Sequence, residues 1–358
     1  MSTDMNTDHK VTFAKRLEQA RKMRGLSLRA LSQEVEGAVS YAALHKYEKA
    51  EMLPGSDVLV ALAGALKQSA DFFFRPLTVS LQKVEFRKRA TMPVKQKEAV
   101  KEQARDFFER YLEVEQLLGL DMGFENPLTG MVIRAPADIE TAAEKLRQKW
   151  DLGGSALPNV LEMLEEHQVK IYDLEAPDKF DGMSGWAGKI PVVVVNRRFP
   201  ADRKRLTALH ELAHLILEFD KDRFTTKDIE RLCHAFAGAV LMPREIFLAE
   251  FGAKRDAVSW NELFELKRDF GISIAATMAR ARNLKLITEK HYIRFNVALN
   301  ARGWRNPEPV EFPGPEQSNR FEQLLYRAAS SELVSLSKAA SLAGKPLAAF
   351  RESLQLVP

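Results

Sequence analysis

The most constraining feature of the chain is an apolar stretch that carries two histidines and a glutamate. Residues 206–218 read Leu-Thr-Ala-Leu-His-Glu-Leu-Ala-His-Leu-Ile-Leu-Glu. An α-helix repeats every 3.6 residues, so His210 and His214 lie one turn apart on the same face. The stretch therefore predicts a helix that presents two imidazoles side by side, with Glu211 next to them.

This arrangement suits a metal ion. Two imidazoles one turn apart are able to bind one ion, and the H-E-x-x-H pattern on a helix is that of zinc peptidases, with the Glu as general base. The alternative is that His210 and His214 are partly buried and satisfied by hydrogen bonds alone. A helical setting with a preceding β-branched strand and a following carboxylate-bearing helix favours the metal site.

A catalytic zinc ion takes three protein ligands and leaves one position open. Glu230 is our preferred third ligand, because it lies sixteen positions after His214 on a second predicted helix. His234 follows Glu230 by one turn and shares its face, so it is either a ligand or a hydrogen-bond partner of a ligating histidine. The alternatives at or beyond the end of the first helix are Glu218, Asp220 and Asp222.

The N-terminal segment has a different character. Residues 11–76 read as short helices with tight turns, in which Ser27 and Ser40 occupy N-cap positions. Helix, tight turn and helix form the helix-turn-helix unit. One long amphipathic helix is expected at 93–119. The basic residues in and before it suit either phosphate contacts or a solvated helix face; they are Lys83, Arg87, Lys88, Arg89, Lys95, Lys97 and Lys101.

From residue 137 onward, predicted helices alternate with short strands. We expect a turn-rich segment over Asp181–Ala187, a strand at 191–195, and three short helices between Pro243 and a Pro/Gly-rich stretch at 302–318. The predicted fold class is mainly α with a small β-sheet (α+β). The predicted parts are a helix-turn-helix domain at 10–78, a basic linker and long helix at 79–136, a metal-binding domain at 137–300, and a C-terminal helical region at 301–358.

Composition bears on where such a chain works. A length of 358 residues suggests two or three domains. Cys233 is the only cysteine, which excludes an intramolecular disulfide and a Cys-rich structural zinc site and fits a reducing compartment. No apolar run is long enough to span a bilayer, and the polar start, Met1–Lys10, has no secretory apolar region. We therefore expect a cytoplasmic protein without a membrane partner.

Two segments around the H-E-x-x-H motif resemble the ImmA/IrrE metallopeptidase family over roughly residues 137–290. The first runs from the strand Val192–Asn196 through Arg203–Thr207 to His210–His214; the second is Glu230–Pro243, with its Phe-Ala and terminal Leu-Met-Pro. The resemblance implies a gluzincin-like site in which His210, His214 and Glu230 bind Zn²⁺ and Glu211 is the general base. His234 departs from the family, which usually has Asn at this position.

Residues 13–76 resemble the Cro/repressor-type (XRE) helix-turn-helix family. The matching residues are Leu17, Arg21, Gly25, Ser27, Leu31, Ser40, Leu44, Tyr47, Glu48, Pro54, Leu62 and Ala63. The resemblance implies an operator DNA partner and places four residues near the bases: Tyr41, Ala42, His45 and Lys46. The alternative is a helical domain used only for protein contacts.

Three details of this module remain expectations. Basic side chains suited to phosphate contacts are Arg16, Arg21 and Lys49. Ala50 stands where the family usually has Gly after the recognition helix. Operators of this class are usually read by dimers, so a homodimer is possible, with the helix at 93–119 as either dimer contact or core.

The leading hypothesis is a DNA-binding transcription regulator fused to a zinc endopeptidase that cleaves a regulatory protein. Relatives in the resembling peptidase family cleave repressor or antitoxin proteins, often helix-turn-helix ones, in response to stress. The alternative is a regulator or antitoxin whose metallopeptidase-like domain only senses or binds a partner. The segment Met183–Asn196 is either an edge strand that accepts an extended substrate or an internal strand.

Overall fold

The computed structural model describes residues 2–35, 37–86, 92–120 and 123–354. Its contacts group the chain into two compact units. The first unit comprises Met1–Gln82, Ala90–Met122 and Asn319–Pro358, and the second comprises Lys83–Arg89 and Gly123–Ser318. The region 301–358 is thus divided between the two units. The α+β class is confirmed, because the fold is 56% helical with a small mixed sheet.

Within the described residues, the helices in chain order are α1 (Ser2–Met23), α2 (Leu28–Glu34), α3 (Tyr41–Glu48), α4 (Ser56–Leu66), α5 (Val94–Leu117), α6 (Asp138–Lys149), α7 (Val160–Glu166), α8 (Ala201–Ile216), α9 (Thr226–Leu241), α10 (Arg244–Phe251), α11 (Trp260–Phe270), α12 (Ile274–Asn283), α13 (Glu289–Ala301), α14 (Arg320–Ser330), α15 (Leu336–Ala343) and α16 (Leu347–Ser353). The strands are β1 (Leu81–Phe86), β2 (Val132–Ile133), β3 (Lys170–Leu174), β4 (Gly182–Ala187), β5 (Ile190–Asn196) and β6 (Glu218–Phe219).

Helices α1 to α4 and a short 3-10 helix (Ala70–Phe74) enclose the N-terminal core. Both predicted N-caps are confirmed: the Ser27 hydroxyl accepts from the Ala30 N–H at 3.1 Å, and the Ser40 hydroxyl accepts from the Ala43 N–H at 3.2 Å. These caps satisfy N–H groups that have no partner within the helix and so fix where α2 and α3 begin. The packed core consists of Phe13, Leu17, Leu31, Leu44, Leu62 and Phe73.

The long helix α5 is confirmed and organises the remainder of the first unit. Arg16 on α1 is fully buried and donates to Glu109 of α5 at 2.6 Å. The expectation that Arg16 contacts phosphate is therefore wrong, because its charge is neutralised inside the protein. The C-terminal helices pack on the same helix, with the Phe107 and Phe321 rings 5.0 Å apart and the Arg110 guanidinium donating to the Leu342 carbonyl at 2.6 Å.

The basic linker is only partly within the described structure. Lys83 lies in β1, and Lys95, Lys97 and Lys101 lie on α5. Arg87, Lys88 and Arg89 fall outside the described residues. The choice between phosphate contact and a solvated face thus stays a prediction.

The main sheet has the strand order β1-β4-β5-β3, in which β3 and β5 are parallel and β4 and β5 antiparallel. The expectation of a turn-rich segment over Asp181–Ala187 is wrong, because most of this segment is strand β4. Glycine inside the segment hid the strand pattern, since glycine is rare in strands. A Cβ on Gly182 would lie 2.6 Å from the Thr207 Cγ2 of α8, so the glycine permits close packing of helix on strand.

Strand β4 lies between β1 and β5 in this sheet. Of the two readings of Met183–Asn196, the internal strand is therefore the correct one. An extended substrate would need another way to approach the sheet.

Helices α10 to α13 number four where the sequence predicted three. One of the observed boundaries lies between α11 and α12, where Gly271 ends one helix in the left-handed conformation (φ 61°) and Ser273 caps the next. Glycine followed closely by an N-cap serine is the expected chemistry for such a break. The sequence carried this signal within a short gap of three residues, 271–273.

The H-E-x-x-H helix α8 lies in the interior of the second unit, packed against α9, β4 and β5. Its buried apolar side chains include Leu209, Leu212 and Ile216. Within the described residues, no single helix has the length and apolar character to cross a membrane; the bent pair α9 and α10 meets those two criteria only when taken together.

Candidate metal centre

Helix α8 is anchored five residues before His210 by the buried side chain of Arg205. Its guanidinium donates to Glu316 at 2.8 Å and to the Leu157 carbonyl at 2.6 Å. Burial lowers the pKa of Arg205 and raises the pKa of Glu316, and each is offset in part by the charge of the other. A Cβ on Gly271 would lie 2.6 Å from the Arg205 Nε, so a glycine is needed there.

The two histidines of the motif face each other as the helical spacing predicts. The Nε2 atoms of His210 and His214 are 3.1 Å apart, and the ring planes meet at 76°. The His210 side chain is fully buried and that of His214 is 7% exposed. The Cys233 sulfur lies 3.8 Å from the His214 Nδ1, on the side of the ring away from His210.

Glu230 is brought to the two imidazoles by helix α9. A capping box begins this helix, in which the Thr225 hydroxyl accepts from the Asp228 N–H and the Asp228 carboxylate accepts from the Thr225 N–H. The Glu230 Oε2 lies 3.5 Å from the His210 Nε2, and its Oε1 lies 3.7 Å from the His214 Nε2. One ligand atom from each residue lies within 4.8 Å of the others.

The alternative third ligands lie elsewhere. Glu218 forms part of β6, which pairs with β2, and its side chain is exposed. The Asp220 carboxylate contacts Arg223 at 3.2 Å and accepts from the Asp222 N–H. The carboxylate that joins the histidines in the described structure is that of Glu230.

The arrangement of these three side chains fits a zinc ion. Ligand atoms at about 2.1 Å from a tetrahedral zinc are roughly 3.4 Å apart. The Nε2–Nε2 distance of 3.1 Å and the two N–O distances of 3.5 and 3.7 Å lie close to that value. Glu230 is 29% exposed, so the cluster opens to solvent on the Glu230 side, as a site with one open position requires.

Glu211 follows His210 directly on α8 and is fully buried. Its Oε2 accepts a hydrogen bond from the Ser184 hydroxyl at 2.7 Å. Ser184 lies on β4 opposite Val193 of β5 and is itself buried. Sequence reasoning missed Ser184, because the segment was read as a turn; a strand assignment for β4 would have placed this side chain on the face toward α8.

His234 contacts the cluster from α9. Its ring centroid is 4.1 Å from that of His210, with 38° between the planes. The structure therefore places His234 beside a proposed ligand, and whether it acts as a ligand or orients His210 stays a prediction.

The four proposed DNA-contacting residues share one face of α3. Tyr41, Ala42, His45 and Lys46 are all exposed, while Leu44 and Tyr47 are buried in the core. The other two expected phosphate-contacting residues differ in their availability to DNA. Arg21 forms a bidentate pair with Glu48, whereas Lys49 is exposed.

The fold, the His210–His214–Glu230 cluster and the exposed face of α3 define a class of protein. Proteins of this class join a DNA-binding helix-turn-helix domain to a metallopeptidase-type domain. Residues 17–73 match the family described as Helix-turn-helix, and residues 164–282 match the family described as the IrrE N-terminal-like domain. The chain thus carries an XRE-type helix-turn-helix domain fused to an ImmA/IrrE-like peptidase domain. No curated protein sequence matches the chain.

Proposed function

We propose that the chain is a DNA-binding transcription regulator whose second unit is a zinc-dependent endopeptidase. The supporting observation is the convergence of His210, His214 and Glu230 to within 4.8 Å, with the buried Glu211 on the same helix as the two histidines. The substrate we propose is a regulatory protein, either a repressor or an antitoxin-like protein, as the family resemblance implies.

The residues of the chain divide the chemistry between them. Zinc, when bound by His210, His214 and Glu230, supplies a Lewis acid that polarises the scissile carbonyl and acidifies water. Glu211 accepts the proton of the attacking water and donates it to the leaving amine. Ser184 donates a hydrogen bond to one oxygen of Glu211, which restricts rotation of the carboxylate.

The helix-turn-helix domain would deliver this activity to DNA-bound regulators or act as a repressor itself. In our proposal Lys46 contacts guanine, Ala42 contacts a thymine methyl, and Tyr41 and His45 contact the flanking bases or phosphates. All four are exposed on α3, and two α3 helices of a homodimer would read two half-sites.

The peptidase proposal is tested with the Glu211→Gln variant. We expect this variant to keep zinc, because none of the three ligands changes, and to lose cleavage, because no base remains. Zinc-loaded wild type and variant are incubated with candidate repressor and antitoxin proteins, and the products are identified by intact-mass spectrometry while metal content is measured in parallel.

Glu218→Gln is the matched control, since it makes the same change on exposed β6 and should leave cleavage unaltered. A wild-type protein that holds zinc, binds a partner regulator and leaves it intact would refute the peptidase. That result would favour the alternative of a sensing or partner-binding domain.

A further inference from the structure

A cavity of about 560 Å³ opens in the second unit beside the metal centre. Helices α9, α12 and α13 supply most of its walls. Its floor is made of small side chains from α9 and α12: Ala235, Gly238, Ala275, Ala276 and Ala279. This volume lies in the range of ligand-binding pockets and exceeds that of one amino-acid side chain.

The cavity adjoins the metal centre through α9. Lys227, Arg231, His234 and Gly238 follow one another along this helix and line the cavity. His234 is at the same time the residue whose ring lies 4.1 Å from His210, and Arg231 follows Glu230 directly. A polypeptide bound across the metal centre therefore has the cavity beside it.

The described side chains that line the cavity carry positive charge only. Five cationic side chains line the cavity, and no carboxylate is among its described lining residues. The five are Lys227, Arg231, Arg280, Arg282 and Arg305. Arg280 is buried and Arg282 half-buried, whereas Lys227, Arg231 and Arg305 are exposed. Five like charges around one space create a positive potential that attracts an anion.

Carboxylates behind the lining neutralise some of these charges. Arg280 is paired in bidentate fashion with Glu140 at 2.9 Å, so its charge is structural. Arg231 contacts Asp228 at 2.9 Å in an exposed pair, which is worth little. Arg282 lies 3.9 Å from Glu289 and stacks over the Tyr292 ring.

Arg305 is held in place without being neutralised. Its guanidinium donates to the amide oxygen of Asn300 at 2.8 Å and to that of Asn296 at 2.6 Å. Neutral amides fix the orientation of the guanidinium and leave its positive charge in place. Arg305 is therefore a preorganised cation at the cavity wall, and Lys227 provides a second one at the start of α9.

We propose that this cavity is an acidic-residue subsite, which binds Asp or Glu side chains of the polypeptide substrate next to the metal centre. The inference rests on the proposed peptidase function and specifies its substrate. A volume larger than one side chain accommodates a short acidic segment. The carboxylates form charge-assisted hydrogen bonds with Arg305 and Arg231 and a salt bridge with Lys227.

The test measures binding, so that it does not depend on turnover. The full-length Glu211→Gln protein is loaded with zinc and titrated with three fluorescent, end-capped decapeptides, which differ only in a central Glu-Glu, Gln-Gln or Lys-Lys pair. We expect the Glu peptide to bind about tenfold more tightly than the Gln peptide, in line with one charge-assisted hydrogen bond. Inorganic phosphate is added as a competitor.

Charge reversal supplies the specific variants. Lys227→Glu and Arg305→Glu, each made in the Glu211→Gln protein, are expected to abolish the preference for the Glu peptide and to favour the Lys peptide. Arg223→Glu is the matched control, since Arg223 is exposed, belongs to the same unit and is not part of the lining. Circular dichroism spectra verify that each variant is folded. If one of the two charge-reversal variants fails to fold, the other still tests the inference.

The outcomes are distinct. Equal binding of the Glu and Gln peptides overturns the inference, even if the wild type cleaves a regulator. Equal binding of the Glu and Gln peptides that phosphate nevertheless displaces assigns the cavity to free anions and also overturns the inference. A preference for the Glu peptide that is reversed in the variants supports the subsite, and it does so even if no substrate is cleaved, in which case the proposed endopeptidase function alone fails.

Discussion

Ala50 shows at the scale of one residue how this chain departs from its relatives. It follows the recognition helix α3 and adopts φ 60°, the left-handed conformation that glycine adopts without strain. The turn that the family makes with Gly is therefore kept here with Ala. A left-handed conformation costs an L-residue about 1–2 kcal/mol, so the first unit carries backbone strain at this turn.

Ala50→Gly is expected to stabilise the first unit by about 0.5–1 kcal/mol, because relief of the strain exceeds the added entropy of glycine in the unfolded chain. Hydrogen exchange of α3 and α4 measures the change. Gly25→Ala is the matched control of opposite sign, since Gly25 has φ 60° and a Cβ there would meet no atom within 4 Å. Equal exchange rates in the wild type, Ala50→Gly and Gly25→Ala would contradict the assignment of backbone strain to Ala50.

Ser184 and His234 show how single residues reach the candidate site from neighbouring elements. Ser184 reaches Glu211 only because β4 packs on α8, and His234 reaches His210 only because α9 packs on α8. The relative positions of His210, Glu211 and His214 were predictable, since all three lie on one helix. Of the contacts between elements, that of His234 with a histidine of the motif was expected from the sequence, and that of Ser184 with Glu211 was not.

At the scale of elements, the segment after α13 fastens α8 to the rest of the second unit. Glu316 accepts from the Leu161 N–H at 2.8 Å at the start of α7 and pairs with Arg205 of α8. The Phe312 ring lies 4.6 Å from the Arg205 guanidinium. The stretch at 302–318, described from the sequence only as Pro/Gly-rich, thus positions the H-E-x-x-H helix α8.

Glu316→Ala is expected to lower the free energy of unfolding of the second unit by about 3–5 kcal/mol, because Arg205 would remain buried without its partner. Urea unfolding followed by tryptophan fluorescence measures the loss, since all four tryptophans belong to the second unit. Glu311→Ala, at an exposed position in the same segment, should change stability by less than about 0.5 kcal/mol. Similar losses in both variants would argue against the anchor.

Asp106 on helix α5 makes the stability of the first unit depend on pH. Burial raises the pKa of Asp106, but the charges of Arg110, Arg75 and Arg16 lower it further, so the net pKa lies below its usual value. The unfolded chain therefore binds the proton more tightly than the folded one does. The stabilisation is fully present above the ordinary aspartate pKa of about 3.9 and is lost as the pH falls through the lower folded-state pKa.

We expect Asp106→Asn to weaken the first unit at neutral pH and to flatten the decline of its stability in acid. Hydrogen exchange of α1 and α5 over a series of acidic pH values measures both effects. Asp71→Asn is the control, because Asp71 is exposed. An acid decline that is as steep in Asp106→Asn as in the wild type would contradict the assignment.

At the scale of the whole molecule, one chain combines a DNA-binding surface with a candidate catalytic centre. The charge on the exposed side of α3 is basic, with Lys46 and Lys49 both at the surface. Phosphate contacts set affinity and its salt dependence, while contacts to base edges set specificity. These two lysines are therefore expected to play different roles.

Lys49→Ala is expected to weaken binding to all DNA sequences alike and to reduce the slope of log affinity against log salt by about 1. Lys46→Ala is expected to relax the preference at one base position. Binding to a selected operator and to its single-base variants, measured over several salt concentrations, separates the two effects. Lys338→Ala, a change on α15 where Lys338 pairs with Glu113, is the control; identical effects of Lys46→Ala and Lys49→Ala would refute the division of roles.

The sequence by itself determined the features that depend on spacing within one helix or turn. These are the pairing of His210 with His214, the serine caps of α2 and α3, the exposed face of α3, and the two family matches. Tertiary structure alone decided the distances at which Glu230 meets the histidines, that Ser184 of β4 contacts Glu211, that Arg16 is buried, and that a cationic cavity lies beside the candidate metal centre. The physical reason is that helix periodicity and capping act over a few residues, whereas these contacts depend on how α8, α9, the sheet and the segment after α13 pack together.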